Sequence, residues 1–130
     1  MIYIGKIDRE LYQCVASDIL TDEVIITEKQ IQHIASNHPE SIHSRILDEL
    51  LTVITCPDYI LQDTQPAHIH DTAIVMKQIQ RENGGYRIIL RLATSADDHE
   101  KKNSIITAFY ISEKKWNKFL RNKIILYKRL

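Results

Sequence analysis

A chain of 130 residues with zero formal net charge is long enough to bury one hydrophobic core and too short to build two. Its 44% apolar and 26% charged residues, with only three Gly and three Pro, exclude a long linker or a disordered tail. Cys14 and Cys56 lie 42 positions apart without a CxxC pattern, which excludes a disulfide framework and a four-cysteine zinc site and leaves both as candidate buried small hydrophobes.

The opening IYIGKI and the later DEVIIT predict short strands. Thr27, followed by Glu28, Lys29 and Gln30, predicts a helix N-cap. Ile31, Ile34 and Ala35 fall on one stripe of that helix, so His33 points away from it. Pro39 disfavours helical geometry at His38, which predicts a turn before a second helix over about 42–54, with Ile46, Leu47, Leu50, Leu51 and Ile54 as its buried stripe.

The period then changes from 3.6 to 2. Strands are predicted over 72–80 and 86–93, flanking an Asn83-Gly84-Gly85 hairpin signal, with another over 104–111. Ser112 predicts the cap of a short helix with Trp116, Phe119 and Leu120 on one side, and the apolar run 124–127 follows it. The expectation is a single α+β domain over 1–130, its amino-terminal helices packed on a central antiparallel meander and closed by a short carboxy-terminal helix.

No apolar run approaches the roughly 20 residues of a membrane span, and MIYIGKIDRE has no signal-peptide layout, so the expected location is cytoplasmic with no membrane partner. Charge is unevenly spread. Residues 1–65 carry 4 Lys and Arg against 11 Asp and Glu, while 66–130 carry 13 against 6. The last 18 residues alone hold seven cations and one acid, a segment suited to a phosphate backbone or, more plainly, to a solvated helix face.

Alternation places Lys77 with Val75, and Arg87 and Arg91 with Ile89. A strand cation among aliphatics is either a side chain snorkelling to the rim, the expected reading for Arg87, or a phosphate ligand in a cleft. Arg91 leads directly into Thr94 and Ser95, a strand end where polar groups of sheet-based sites collect.

The runs VIITEKQIQHIASNHPE, CPDYILQD, YRIILRLATS, KNSIITAFYI and KKWNKFLRNKIILYKR, in that order over about 23–129, resemble the phage-associated members of the barnase–EndoU–colicin–RelE-like nucleases. The resemblance implies a small helix-plus-sheet domain that cuts RNA without a metal or other cofactor. It also implies candidate active-site positions at His33, His38, Arg91, Thr94, Ser95, Lys102, Asn103 and Ser104. Metal-free cleavage needs a base for the 2′-hydroxyl proton, an acid for the departing 5′-oxygen and cations for the added phosphate charge. His33 and His38 fit the acid and base. Arg91 and Lys102 fit the phosphate stabilisers, with Thr94, Ser95, Asn103 and Ser104 as hydrogen-bond positioners. Lys77 is a further candidate phosphate ligand, and Tyr127 a candidate stacking platform if it is not simply packed on the core.

No obvious carboxylate base of the barnase type stands out, which favours as alternative a non-catalytic RNA- or protein-binding module on the same fold. A histidine-based metal hydrolase is a further alternative: His68 and His70 alternate, and His33, His38 or His43 could complete a set, though no strong zinc spacing is present. The expected partners are RNA and a cognate immunity or antitoxin protein; oligomeric state is open.

Overall fold

The computed structural model describes residues 1–37, 45–66, 71–78 and 84–130. Three helices and seven strands make up the described chain. Strand β1 (Ile2–Lys6) leads through a 3-10 turn, Leu11–Cys14, to β2 (Glu23–Ile26), and helices α1 (Glu28–Asn37) and α2 (Ile46–Thr55) follow. Then come β3 (Tyr59–Gln62), β4 (Thr72–Lys77), β5 (Gly85–Arg91), β6 (Asn103–Ile111), α3 (Glu113–Asn122) and β7 (Ile125–Lys128).

Local chemistry fixes the helix starts. Thr27 Oγ1 accepts the Gln30 amide at 3.1 Å while Gln30 Oε1 accepts the Thr27 amide at 3.1 Å, a reciprocal capping box that satisfies two otherwise orphan donors. Ser112 caps α3 by accepting from the Lys115 amide.

All seven strands join one sheet in the order β1-β2-β6-β5-β4-β3-β7. The stretch β3 to β6 is the expected antiparallel meander. The sheet as a whole is mixed, because β2 pairs parallel with β6. Parallel neighbours need a long crossover, and here α1, α2 and the meander supply it.

The two sheet faces carry separate cores. On the first face Ile34 of α1 and Leu50, Val53 and Ile54 of α2 pack on Val24, Ile26, Ile60, Val75, Ile88 and Leu90. Tyr12 seals this layer, fully buried and donating its hydroxyl to Ile54 O at 2.6 Å. On the second face Leu61, Ile74, Met76, Ile89 and Ile111 lie beneath Trp116 of α3. A bulge in β6 opposite Ile89 and Leu90 switches the alternation of the strand. It turns Ala108 to the first face and Phe109 to the second.

The glycines at the hairpin serve close approach. A Cβ on Gly84 would collide with Ile111 O, and one on Gly85 with Lys77 O and the Trp116 ring. The turn residues 81–83 themselves lie outside the described residues. Cys14 and Cys56 correct an expectation: both are exposed, because each sits at the end of a helical turn rather than on its inward face. No helix among the described residues is long and apolar enough to cross a membrane.

Candidate functional site

The end of β5 and the beginnings of β6 and β2 meet at one end of the sheet, since Arg91 pairs with Ser104 and Asn103 pairs with Val24. This brings together six of the residues singled out in the sequence: Arg91, Thr94, Ser95, Lys102, Asn103 and Ser104. Asn103 is fully buried and holds the corner together. Its Oδ1 accepts the Ala93 amide at 2.8 Å and its Nδ2 donates to Thr21 O at 2.8 Å, so the side chain joins the exit of β5 to the approach of β2.

Around this corner Arg91, Thr94, Ser95 and Lys102 each meet a carboxylate. Arg91 donates through Nη2 to Asp97 Oδ1, and Asp97 Oδ2 accepts the Thr94 amide at 2.9 Å. Ser95 directs both its amide and its hydroxyl at Asp18 Oδ2. Lys102 Nζ lies 2.8 Å from Glu23 Oε1. The buried Nε of Arg91 makes no hydrogen bond among the described residues. Thr72 faces Arg91 across β4 and β5, and its hydroxyl donates to Asp63 Oδ2 at 2.7 Å.

These contacts set the local electrostatics. The Ser95 hydroxyl holds the Asp18 carboxyl below its ordinary range, because a donated hydrogen bond favours the charged form. The hydrogen bond to Glu23 raises Lys102, which therefore stays cationic well above neutral pH. Burial lowers Arg87, opposed by the charge of Asp63.

The structure leaves other predicted residues outside this corner. Lys77 stands at the opposite end of the β4–β5 ladder, five strand residues from Thr72 and so about 17 Å away. Its ammonium is taken up by Cys56 O at 2.8 Å, with Asp58 at 3.7 Å. Tyr127 pairs with Ile60 on β7 and packs against the first core. His33 is an exposed residue of α1, next to the buried Ile34. His38 lies outside the described residues, as do His43, His68 and His70 of the metal alternative. Among the described residues no group of three or more His, Cys, Asp or Glu is arranged to hold a metal ion.

Arg87 is half-buried and lies against two rings. Its guanidinium lies 5.0 Å from the Phe109 ring centroid and 4.7 Å from that of Phe119, and its buried Nε has no hydrogen-bond partner among the described residues. The negative faces of two rings hold the half-buried cation against the second layer. Beside it, Phe109, Lys115, Lys118, Phe119, Asn122 and Lys123 line a cavity of about 430 Å³. Sequence pattern alone marks neither this cavity nor Asp18, Glu23 and Asp97. Asp97 does carry a local signal, three residues after Thr94, in the spacing of a side-chain-closed turn.

Comparison with curated proteins gives no match, and comparison with solved structures gives none either. The family model described as phage-Barnase-EndoU-ColicinE5/D-RelE like nuclease2 matches residues 4–128, nearly the whole chain. With this match added to the helix-on-sheet architecture, the chain belongs to that family of nucleases.

Proposed function

We propose that this protein is a metal-independent endoribonuclease, phage- or toxin-associated, that cleaves RNA by attack of a 2′-hydroxyl on the adjacent phosphate and leaves a 2′,3′-cyclic phosphate. The observation that carries the reading is the gathering of Arg91, Lys102, Thr94, Ser95 and Ser104 at one sheet end within a nuclease family. Arg91 and Lys102 supply positive charge for the phosphorane-like transition state, and preorganised charge at the reacting centre is worth most where solvent is excluded. Ser95 and Ser104 orient the phosphate oxygens, while Asn103 and Thr94 act through the backbone they hold in place.

His33 and His38 are the proton-transfer pair of this reading. Helix α1, which carries His33, follows β2 after Thr27 and packs on β6, the strand that begins at Asn103. Two imidazoles there would exchange protons with the 2′-hydroxyl and the 5′-oxygen near neutral pH. A cognate immunity or antitoxin protein belongs to the same reading.

One observation favours a non-catalytic binding module instead: Arg91 and Lys102 are already paired with carboxylates. The two readings separate on incubation of purified protein with total RNA in excess chelator. Fragments ending in 2′,3′-cyclic phosphate, lost in His38→Ala and reduced in Lys102→Ala at unchanged melting temperature, are the expected result. Intact RNA at high protein concentration, with and without divalent metal, would leave only the binding module.

A further inference from the structure

The cations of the second half of the chain divide by what they touch. Arg91, Lys102 and Lys77 each face a carboxylate, Asp97, Glu23 and Asp58 respectively. Lys115 and Lys118 have no ion-pair partner among the described residues, and the Lys123 ammonium reaches only the hydroxyl of Thr64, at 3.1 Å. All three line the cavity of about 430 Å³ between β6 and α3.

The sequence builds this cavity from two periodicities. Positions 115, 118, 119 and 122 share one face of α3, so two lysines and Asn122 stand beside the Phe119 ring. The bulge in β6 brings Phe109 to the same face of the sheet. Arg87 stacks with both rings, its guanidinium about 5 Å from each centroid. Among the described residues no acidic side chain lines the cavity. An aromatic floor and a cationic rim without carboxylates suit a ligand that is flat and apolar in one part and anionic in the next. A nucleotide has both parts, and aromatic stacking with cationic tracking of the backbone is how single strands are held. The volume falls within the few hundred cubic ångströms typical of small-ligand sites.

We propose that this cavity is a subsite for one nucleotide of a single-stranded RNA, its base against Phe109 and Phe119 and its flanking phosphates on Lys115, Lys118 and Lys123. The proposal rests on the RNA-cleaving reading and extends it. Arg87 and Arg91 point to the same sheet face four residues apart on β5, a separation of about 13 Å. That distance is within the span of a few nucleotides, so a single strand seated at the reacting corner would hold a base in the cavity away from the scissile bond.

The test is fluorescence anisotropy with a fluorescein-labelled 2′-O-methyl decaribonucleotide, which lacks the attacking hydroxyl and cannot be cut. Lys115→Gln/Lys118→Gln is expected to weaken binding at least tenfold and to reduce the slope of log affinity against log salt by about 1.4, about 0.7 for each single-strand phosphate that is no longer neutralised. Phe119→Leu keeps an apolar side chain in the second core and is expected to weaken binding about tenfold through reduced stacking. Polyglutamate serves as the control for charge without bases. If it binds as tightly as the oligonucleotide, with the same lysine dependence and indifference to Phe119→Leu, the site takes an acidic polypeptide and the proposal falls. Cleavage of RNA by a protein whose oligonucleotide affinity ignores both variants overturns the subsite and leaves the nuclease reading intact. Lysine-dependent binding without any cleavage does the reverse.

Discussion

Arg91 and Asp97 meet at 2.5 Å with side chains only 11% and 14% exposed, and the other oxygen of the same carboxylate holds the Thr94 amide. The pair thus fixes the cation and the loop that follows it together. Removing one partner strands a nearly buried charge, the costly way to break such a pair. Asp97→Ala is expected to lose about 3 kcal/mol in urea unfolding. Arg91→Met/Asp97→Leu is expected to recover most of that stability while abolishing cleavage. Recovery of stability with full cleavage would remove Arg91 from the reaction.

Asn103 is expected to matter for folding more than for substrate. Asn103→Ala leaves the Ala93 amide and Thr21 carbonyl without their partner in a closed corner, a loss of about 2–3 kcal/mol. Urea unfolding checks this, and a variant as stable as the parent would free Asn103 for a direct role with RNA.

Ser95 and Asp18 predict a pH dependence. Asp18 titrates below its ordinary value of 3.8 in the folded chain, principally because the Ser95 hydroxyl donates to it. A depressed carboxylate contributes stability that is fully present above the unfolded value and lost as pH falls through the folded one. Ser95→Ala should therefore lower Tm at pH 7, and the gap from the parent should close in acid below 3.8. A gap that stays constant down the acid range would mean that the hydroxyl acts by packing alone.

Glu23 restrains Lys102 before any substrate arrives. Glu23→Gln keeps the shape and removes the charge, so Lys102 is expected to reach phosphate more readily, with kcat/KM for RNA rising several-fold. Lys102→Ala should move kcat/KM in the opposite direction. Initial rates over a range of RNA concentrations decide this, and a large fall in kcat for Glu23→Gln would instead make the carboxylate a direct participant.

The capping box offers a stability control at the start of α1, outside the proposed reacting groups. Thr27→Ala is expected to cost about 1 kcal/mol in thermal or urea unfolding. Its effect on cleavage should follow the loss of folded protein and no more.

Much of the fold is legible in local pattern. Thr27 and Ser112 mark their helices because capping joins residues three apart, and the meander follows from alternation around Gly84 and Gly85. What escapes is tertiary. The strand β3 spans only Tyr59–Gln62, too short to show a period, and the parallel pairing of β2 with β6 joins Val24 to Asn103 across most of the chain. The bulge that turns Phe109 towards Arg87 depends on the partner strand, so alternation by itself does not bring the ring to Arg87. The site shows the same division: Arg91, Thr94 and Ser95 are visible as a strand end, whereas their carboxylate partners Asp97 and Asp18 become visible only in three dimensions.

The ion pair of Lys102 with Glu23 spans 79 residues, and the bond of Ser95 to Asp18 spans 77. The meander can close through short loops, but these two latches form only after β1 and β2 have travelled to the far side of β6. Closing long loops makes such contacts slow in folding. The corner is therefore expected to form in the late half of the folding reaction, and Glu23 and Asp18 come to it from a segment that leaves the ribosome well before it. Until the amino-terminal strands dock, Lys102 has no counter-charge from Glu23, and an unfinished molecule is expected to present a more cationic surface to anions than a finished one.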